Sequence, residues 1–172
     1  MSKIDLRDLT RKMDALSNTY RTLPKELGAI AVNFSKERFI NQAWLDSTKE
    51  NWQPRKRSRR SVHNKKTTNQ TLLVQTGRLK KSIRVISADE SKIIVGSDVP
   101  YAQIQNDGGV INKTVNVKQH SRKRNGRDIT VKAHTRKMNT TIPSRRFLGA
   151  SYTLSKRMMN LITARFVRAL KS

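Results

Sequence analysis

The stretch Thr76-Gly77-Arg78-Leu79-Lys80-Lys81-Ser82-Ile83 is where the repeat of apolar side chains changes from helical to strand spacing. The Thr76 hydroxyl can accept an unpaired backbone N–H at the start of a helical turn. Leu79 and Ile83 are four positions apart, so both would face the core from one side of that turn. The stretch therefore predicts a short helix that leads into a sheet.

Two antiparallel strands are predicted directly after this helix. Val85 and Ile86 continue an alternating pattern, Asp89-Glu90-Ser91 has the composition of a turn, and Lys92–Gly96 returns as a second strand. A small antiparallel sheet is thus expected near the middle of the chain.

A second stretch, Val95-Gly96-Ser97-Asp98-Val99-Pro100-Tyr101-Ala102, continues to Asn106-Asp107-Gly108-Gly109. Pro100 can start a short helical turn, and the glycine pair can end it. We expect Tyr101 and Ala102 to seat this turn against the sheet.

Helices are predicted at both ends of the chain. Residues 5–20 form an amphipathic pattern, and Pro24 fits the first turn of a second helix that runs to about Trp44. A helical hairpin and one bent helix both fit this pattern. The first pattern has a/d spacing, and its apolar residues are Leu6, Leu9, Met13, Leu16 and Tyr20.

A third stretch, Ile142-Pro143-Ser144-Arg145-Arg146-Phe147-Leu148-Gly149, precedes a helix from about Ser151. We expect Phe147 and Leu148 to close the core between the sheet and this last helix. The predicted buried stripe of that helix contains Leu154, Met158, Leu161 and Ile162, with Phe166 and Leu170 near its end.

Residues 110–139 predict an extended hairpin. Asn125-Gly126 supplies the positive φ angles of a type I′ turn, which is a strong hairpin signal. Its arms contain few large apolar side chains, and an isolated two-stranded hairpin is marginally stable in water. We therefore expect it to project from the body and to become ordered against a partner.

Composition excludes several classes of protein. The 172 residues include no cysteine, so disulfides and thiolate metal sites are impossible. His63, His120 and His134 are scattered among cations, and no apolar run is long enough to cross a membrane. Ser97, Asp98 and Asp107 have no histidine or second carboxylate placed to complete an acid–base pair. We expect no enzymatic activity, no cofactor, no metal and no membrane contact.

Positive charge is concentrated in two regions. The net charge is +25, from 37 Lys and Arg against 12 Asp and Glu. Residues 47–69 lose all apolar periodicity and predict a long basic loop, and the hairpin carries nine cations between Lys113 and Lys137. Such surfaces favour polyanions. The candidate contacts are Arg55, Lys56, Arg57, Arg59, Arg60, Lys65, Lys66, Lys118, Arg122, Lys123, Arg124 and Arg127.

In this order, the three stretches resemble the virion-morphogenesis and tail-completion proteins of tailed bacteriophages, although Arg146 stands where a proline is usual. The resemblance implies one α+β domain over 1–172, with a small antiparallel sheet on N- and C-terminal helices and with 47–69 and 110–139 as excursions. The residues that carry it are Trp52, Thr76, Gly77, Leu79, Ser82, Ile83, Gly96, Pro100, Tyr101, Ala102, Gly108, Pro143, Arg145, Phe147, Leu148 and Gly149.

The resemblance also implies a role. It predicts a structural virion protein at the head–tail junction, assembled in the host cytoplasm as a ring of six copies. Neighbouring neck, tail-terminator or tail-tube proteins would be its partners, with non-specific contact to DNA in the channel. For the motif residues, a role in folding is the plainer interpretation. The alternative is a basic RNA- or DNA-binding module without catalytic activity, although no RNA-recognition or helix-turn-helix signature is present.

Overall fold

The computed structural model describes residues 6–55 and 71–171. Helix α1 runs from Leu6 to Asn41 as one helix that contains Pro24, so the single-helix alternative is the one observed. Gln42 has a φ of +51° directly after the helix. Helix α1 ends at Asn41 rather than near Trp44, so the predicted end of this helix was wrong. Trp44 lies in the strand that follows.

Two short strands follow α1. Strands β1 (Ala43–Leu45) and β2 (Lys49–Asn51) pair in antiparallel fashion, with Trp44 opposite Glu50. Strand β2 lies inside the predicted loop 47–69, so that prediction was wrong for these three residues. A three-residue strand is too short to show an alternating pattern. Residues 56–70 of the predicted loop lie outside the described residues.

The predicted central elements are present. Helix α2 (Arg78–Ser82) leads into strands β3 (Arg84–Ala88) and β4 (Ile93–Gly96), which pair in antiparallel fashion with an irregularity between Val85 and Ser87. Helix α3 (Ala102–Asp107) follows and ends at Gly108.

The hairpin is a long two-stranded ribbon. Its strands are β5 (Gly109–Val117), β6 (His120–Arg124), β7 (Arg127–Val131) and β8 (His134–Ile142). Strand β5 pairs with β8, and β6 pairs with β7, in one register from Gly109 opposite Ile142 to Arg124 opposite Arg127. Asn125 and Gly126 have the positive φ angles expected of the predicted turn. At roughly 3.3 Å per residue, each arm extends about 50 Å.

Helix α4 (Tyr152–Lys171) packs antiparallel to the C-terminal part of α1. Glu26 accepts from Arg165 at 2.8 Å, and Glu37 from Arg157 at 2.9 Å, so the two helices run in opposite directions. Ala169 is its buried residue. The predicted stripe is half-buried rather than buried, and Leu170 is exposed. The α+β class is confirmed, with the described strands in four two-stranded antiparallel ladders.

Candidate functional site

The three quoted stretches converge on one core. Its buried residues come from α1, from the segment after β2, from α2 and the residue that follows it, from the start of α3 and its approach, and from the segment before α4. They are Phe39, Trp52, Leu79, Ile83, Val99, Ala102 and Phe147. The Phe39 ring meets Trp52 edge-on at 5.5 Å and packs against Phe147 at 5.0 Å. The core therefore joins segments that are far apart in the sequence.

Asn106, in the last turn of α3, forms hydrogen bonds that hold the third stretch (142–149) against the second (95–109). Its side-chain Oδ1 accepts the backbone N–H groups of Phe147 and Leu148 at 2.9 and 2.8 Å. Its Nδ2 donates to the Leu148 carbonyl at 3.1 Å, and its own carbonyl accepts the Ser144 hydroxyl. One amide side chain thus fixes the path of the segment that places Phe147 in the core.

Gly108 lies where the body meets the hairpin. Its φ is +76° and its ψ is −179°, a conformation essentially restricted to glycine. A Cβ here would lie 2.7 Å from the Ser144 nitrogen and 3.0 Å from the Ile142 carbonyl oxygen. Both neighbours are backbone atoms, so the two arms of the hairpin can leave the body this close together only because residue 108 has no side chain.

Hydrogen bonds from Arg145 and Trp52 join the segment after β2 to the third stretch. Arg145 is buried, and its Nε and Nη2 donate to the Gln53 carbonyl at 3.1 and 3.0 Å. The Trp52 indole donates to the Arg146 carbonyl at 2.9 Å. Burial, together with the nearby positive charge of Arg55, lowers the pKa of Arg145. Trp52 is therefore packed in the core and is not available to stack on a nucleic-acid base.

Arg146 holds its position by contacts that a proline lacks. Its guanidinium lies 4.5 Å from the centre of a Trp44 ring and donates to the Ala150 carbonyl at 3.3 Å. A Cβ on Gly149, whose φ is +144°, would approach this guanidinium to 2.6 Å. The arginine therefore closes the turn between the third stretch and α4.

A cleft of about 310 Å³ opens beside the core. Its described lining offers two guanidinium groups, amides and hydroxyls, and includes no carboxylate, imidazole or thiol. The buried Oε1 of Gln105 has no hydrogen-bond partner among the described residues. The lining residues are Arg55, Leu72, Leu73, Gln75, Thr76, Leu79, Tyr101, Gln105 and Arg145.

The remaining motif residues lie at the ends of α2, β4 and α3 and in the third stretch. Gly77 caps α2, and the Arg78 N–H donates to the Thr76 hydroxyl at 3.4 Å. The Ser82 hydroxyl lies 2.7 Å from that of Ser97, directly after Gly96. Pro100 and Tyr101 are exposed before α3, whereas Pro143 and Leu148 are half-buried.

The hairpin exposes its cations. From Gly109 to Ser144 every residue is exposed or half-buried, and all five residues of β6 are exposed. The cations predicted as contacts in this region, Lys118, Arg122, Lys123, Arg124 and Arg127, are all exposed. Asp128 is the one acid between Lys113 and Lys137, so positive charge dominates the ribbon.

Half-buried apolar residues share one face near the base of the hairpin. In the β5–β8 register Val115 lies opposite Arg136, Val117 opposite His134, and Lys113 opposite Met138. Side chains alternate across a ribbon, so one face carries Ile111, Val115, Val117 and Met138. Among the residues that the structure describes, no second layer of buried residues covers this face. The hairpin therefore carries partly exposed apolar surface as well as charge.

The predicted basic loop is described only at its edges. Arg55 is exposed and donates to the Thr71 carbonyl at 3.4 Å, which brings the two ends of the segment together. The other six predicted contacts in this region lie outside the described residues: Lys56, Arg57, Arg59, Arg60, Lys65 and Lys66.

Several residues that organise these surfaces had no sequence signal. Gln42 bonds the backbone of Leu72 in both directions, through Oε1 at 2.7 Å and Nε2 at 3.3 Å. Arg38 is buried over the Phe34 ring, and its pKa is lowered by burial although Glu37 opposes the shift. Asn106 and Gln42 act through partners that only the fold brings close, whereas Arg38 contacts Phe34 one helical turn away.

Two classes of site are absent from the part of the chain that the structure describes. Across residues 6–55 and 71–171, histidine and acidic side chains form no group of three or more that could hold a metal ion. None of the helices in these ranges combines the length and the apolar character needed to cross a membrane.

Comparison with known proteins identifies the family of the chain. The model of the phage virion morphogenesis family matches residues 4–167, almost the whole chain. No significantly similar protein is found among curated sequences, and none among solved structures. This family is structural and is not known as enzymatic. The body with its projecting hairpin therefore belongs to a member of the phage virion morphogenesis family, a virion-associated protein of phage assembly.

Proposed function

We propose that this protein acts at the head–tail junction of the virion, where it joins the tail to the head through its hairpin and basic loop. The observation that supports this role is the division of the molecule. The body has a core that joins several segments, while the ribbon has arms about 50 Å long that contain no buried residue. Such a ribbon contributes little to the stability of the body, and its surface is available to bind a neighbouring protein.

The ribbon suits binding to another protein in two ways. Both outer edges carry backbone N–H and C=O groups that can pair with an added strand. The face with Val115, Val117 and Met138 adds apolar contact, and the surrounding cations favour an acidic partner. We therefore assign the hairpin to contacts with a neighbouring neck, tail-terminator or tail-tube protein.

The proposed assembly is a ring of six copies, which would match the symmetry of a tail. The resemblance of the three stretches to tail-completion proteins supports this number. Cryo-electron microscopy of purified particles, with the chain located in the map, tests it. A closed ring at the junction is the expected result, and absence of the chain from the particle would overturn the proposal.

Deletion of Val115–Ala133 tests the role of the hairpin. It leaves His134–Arg136 as a three-residue connection between Thr114 and Lys137, which already pair in the ladder. We expect an unchanged unfolding transition of the body, because no buried residue is removed, together with separate heads and tails in infected cells. Electron microscopy of lysates provides the measurement.

A matched variant separates charge from length in this test. Replacing Arg122, Lys123, Arg124 and Arg127 by serine keeps the ribbon but removes four cations. If charge directs docking, this variant reproduces part of the joining defect, and added salt weakens wild-type joining in the same way. Normal virions from the deletion variant would refute the proposed role of the hairpin.

The basic loop has two candidate partners. In a channel that contains DNA, its cations would neutralise phosphates without reading bases. Against a neighbouring ring they would bind acidic side chains instead. Cross-linking to DNA in intact particles, compared between wild type and an Arg57/Arg59/Arg60→Ser variant, distinguishes these two roles.

A nucleic-acid-binding module is the second candidate function, and the distal hairpin favours it. A two-stranded ribbon fits the major groove of B-DNA, and this one carries exposed cations at its tip. Tight binding to free DNA or RNA that falls steeply with salt, without incorporation into virions, would favour this candidate.

A further inference from the structure

The N-terminal part of α1 carries an apolar stripe that the described residues leave largely uncovered, although Leu16 is half-buried. Leu6, Leu9, Met13 and Tyr20 are 73%, 48%, 61% and 48% exposed. The described residues before Leu23 in α1 include none that is buried. At 1.5 Å per residue, the uncovered length is about 20 Å. We name this segment, residues 6–20, the N-terminal seam.

The N-terminal seam is the uncovered end of a longer repeat. Apolar residues follow the alternating spacing of three and four without interruption from the seam through Leu23, Leu27 and Ile30 to Phe34. From Leu23 onward the body covers the repeat. The turn between β3 and β4 lines a cleft that begins at Tyr20, the last residue of the seam, and continues along Leu23 and Leu27. Helix α4 packs along the same part of α1 as Leu23 and Leu27.

This spacing selects a helix as the occupant. A strict heptad repeat keeps its apolar side chains in line with a second helix that winds around the first. Within the described chain α4 already packs on α1, and α2 and α3 have only five and six residues. No helix among the described residues is left to cover the seam, so we look for the partner helix in another polypeptide.

The nearly uncharged positions beside the stripe are compatible with a second copy of this chain as the partner. The positions that flank the seam, in the e and g places of the heptad, are Thr10, Lys12, Ser17 and Thr19. Lys12 is already paired with Asp8 at 2.7 Å. The whole chain has a net charge of +25, but the edges of the seam are nearly uncharged. Two copies of the seam can therefore pack together without rows of like charge facing each other.

We propose that the N-terminal seam packs against the same segment of a second copy of this chain. The contact goes beyond the proposed function, because it defines which surface links copies rather than what the assembly joins. Two heptads are fewer than the three or four that make a coiled coil by themselves. The seam would therefore act together with other contacts between copies.

The absence of cysteine makes a direct test possible. Met13 is the central residue of the stripe, so parallel and antiparallel pairing both bring Met13 near its equivalent. Met13→Cys in the purified full chain is oxidised at about physiological salt, where screening acts over roughly 8 Å. Asn18→Cys, which lies off the stripe and is exposed, measures chance encounters. We expect a cross-linked dimer yield several-fold higher for Met13→Cys, and equal yields would overturn the proposal.

A second variant tests whether the contact stabilises the assembly. Leu9→Lys with Met13→Lys places charge on the apolar stripe of the seam, and Asn18→Lys with Thr22→Lys adds the same charge at exposed positions of α1 that lie off the stripe. We expect a lower mass by light scattering for the seam variant alone, and equal masses would overturn the proposal. Cross-linking within virions to a different protein would also overturn it. Absence of the chain from virions would contradict only the proposed function, since both seam tests use purified protein.

Discussion

The core of the body and the hairpin are held together by different kinds of interaction. In the body, Phe39, Trp52 and Phe147 form a buried aromatic cluster, and Asn106 and Arg145 link it by hydrogen bonds to distant backbone. In the hairpin, backbone pairing runs from Gly109 to Ile142, with no buried residue on either face. One region is specified by contacts between distant segments and the other by local pairing.

This difference indicates how the molecule divides its tasks. A substitution in the body changes contacts among several segments at once, so it should affect the whole unfolding transition. A substitution in the hairpin removes contacts within one ribbon, so it should affect assembly more than stability. Matched substitutions in the two regions test this division, with urea unfolding measured at one fixed protein concentration because self-association shifts apparent stability.

Phe147→Ala should have the largest effect. The side chain is fully buried against Phe39, and its removal leaves a cavity at the point where the three stretches meet. We expect a loss of about 3–5 kcal/mol in the free energy of unfolding. Val115→Ala is the matched change on the half-buried hairpin face, and we expect it to cost less than about 1 kcal/mol. Equal losses would show that the hairpin unfolds together with the core.

Gly108→Ala and Gly126→Ala are the same substitution at nearly the same φ, +76° and +77°. At Gly108 the new Cβ meets backbone at 2.7 Å, whereas at Gly126 nothing lies within 4 Å. We expect a loss of about 2–4 kcal/mol at Gly108, where clash adds to strain. At Gly126 the expected loss is about 1 kcal/mol and local to the turn. Amide hydrogen exchange separates local from global loosening.

Asn106→Ala should rank next. It leaves the N–H groups of Phe147 and Leu148 without their acceptor, and we expect a cost of about 2–3 kcal/mol. Asn106→Asp is the sharper comparison, because it keeps the acceptor and loses the donor to the Leu148 carbonyl. A smaller loss for aspartate than for alanine in urea unfolding would assign the effect to the two backbone N–H groups.

Arg145→Gln in the body and Arg124→Gln in the hairpin should show the smallest difference in the free energy of unfolding. Arg145→Gln removes charged hydrogen bonds to the Gln53 carbonyl and should cost about 2 kcal/mol. Arg124→Gln, at the exposed end of β6, should change the free energy of unfolding by less than about 0.5 kcal/mol. If Arg124→Gln proves as costly as Arg145→Gln, the hairpin tip is packed against something in solution.

Elements with a repeating pattern were predictable from the sequence. The alternation around Asn125-Gly126 predicted the ribbon and its turn, and the apolar spacing near Leu79 predicted α2 and its core contacts. Local signals sufficed here because partners in a hairpin, or residues one helical turn apart, are close in the chain.

Elements defined by distant partners were not predictable in the same way. Nothing in the sequence around Asn106 indicates that its amide bonds residues 41 and 42 positions further on. The paired strands at Ala43–Leu45 and Lys49–Asn51 are too short for a pattern, and Gln42 ends α1 earlier than the apolar spacing suggested.

The single-layer ribbon also has a mechanical consequence. A sheet covered on one face resists twisting, because twist must disturb the packing beneath it, whereas a two-stranded ribbon resists only through its own hydrogen bonds. We therefore expect the hairpin to twist more easily than the body, whose core joins several segments. If it joins two rings, identical subunits can meet neighbours of unequal spacing by twisting the ribbon, and the body need not repack.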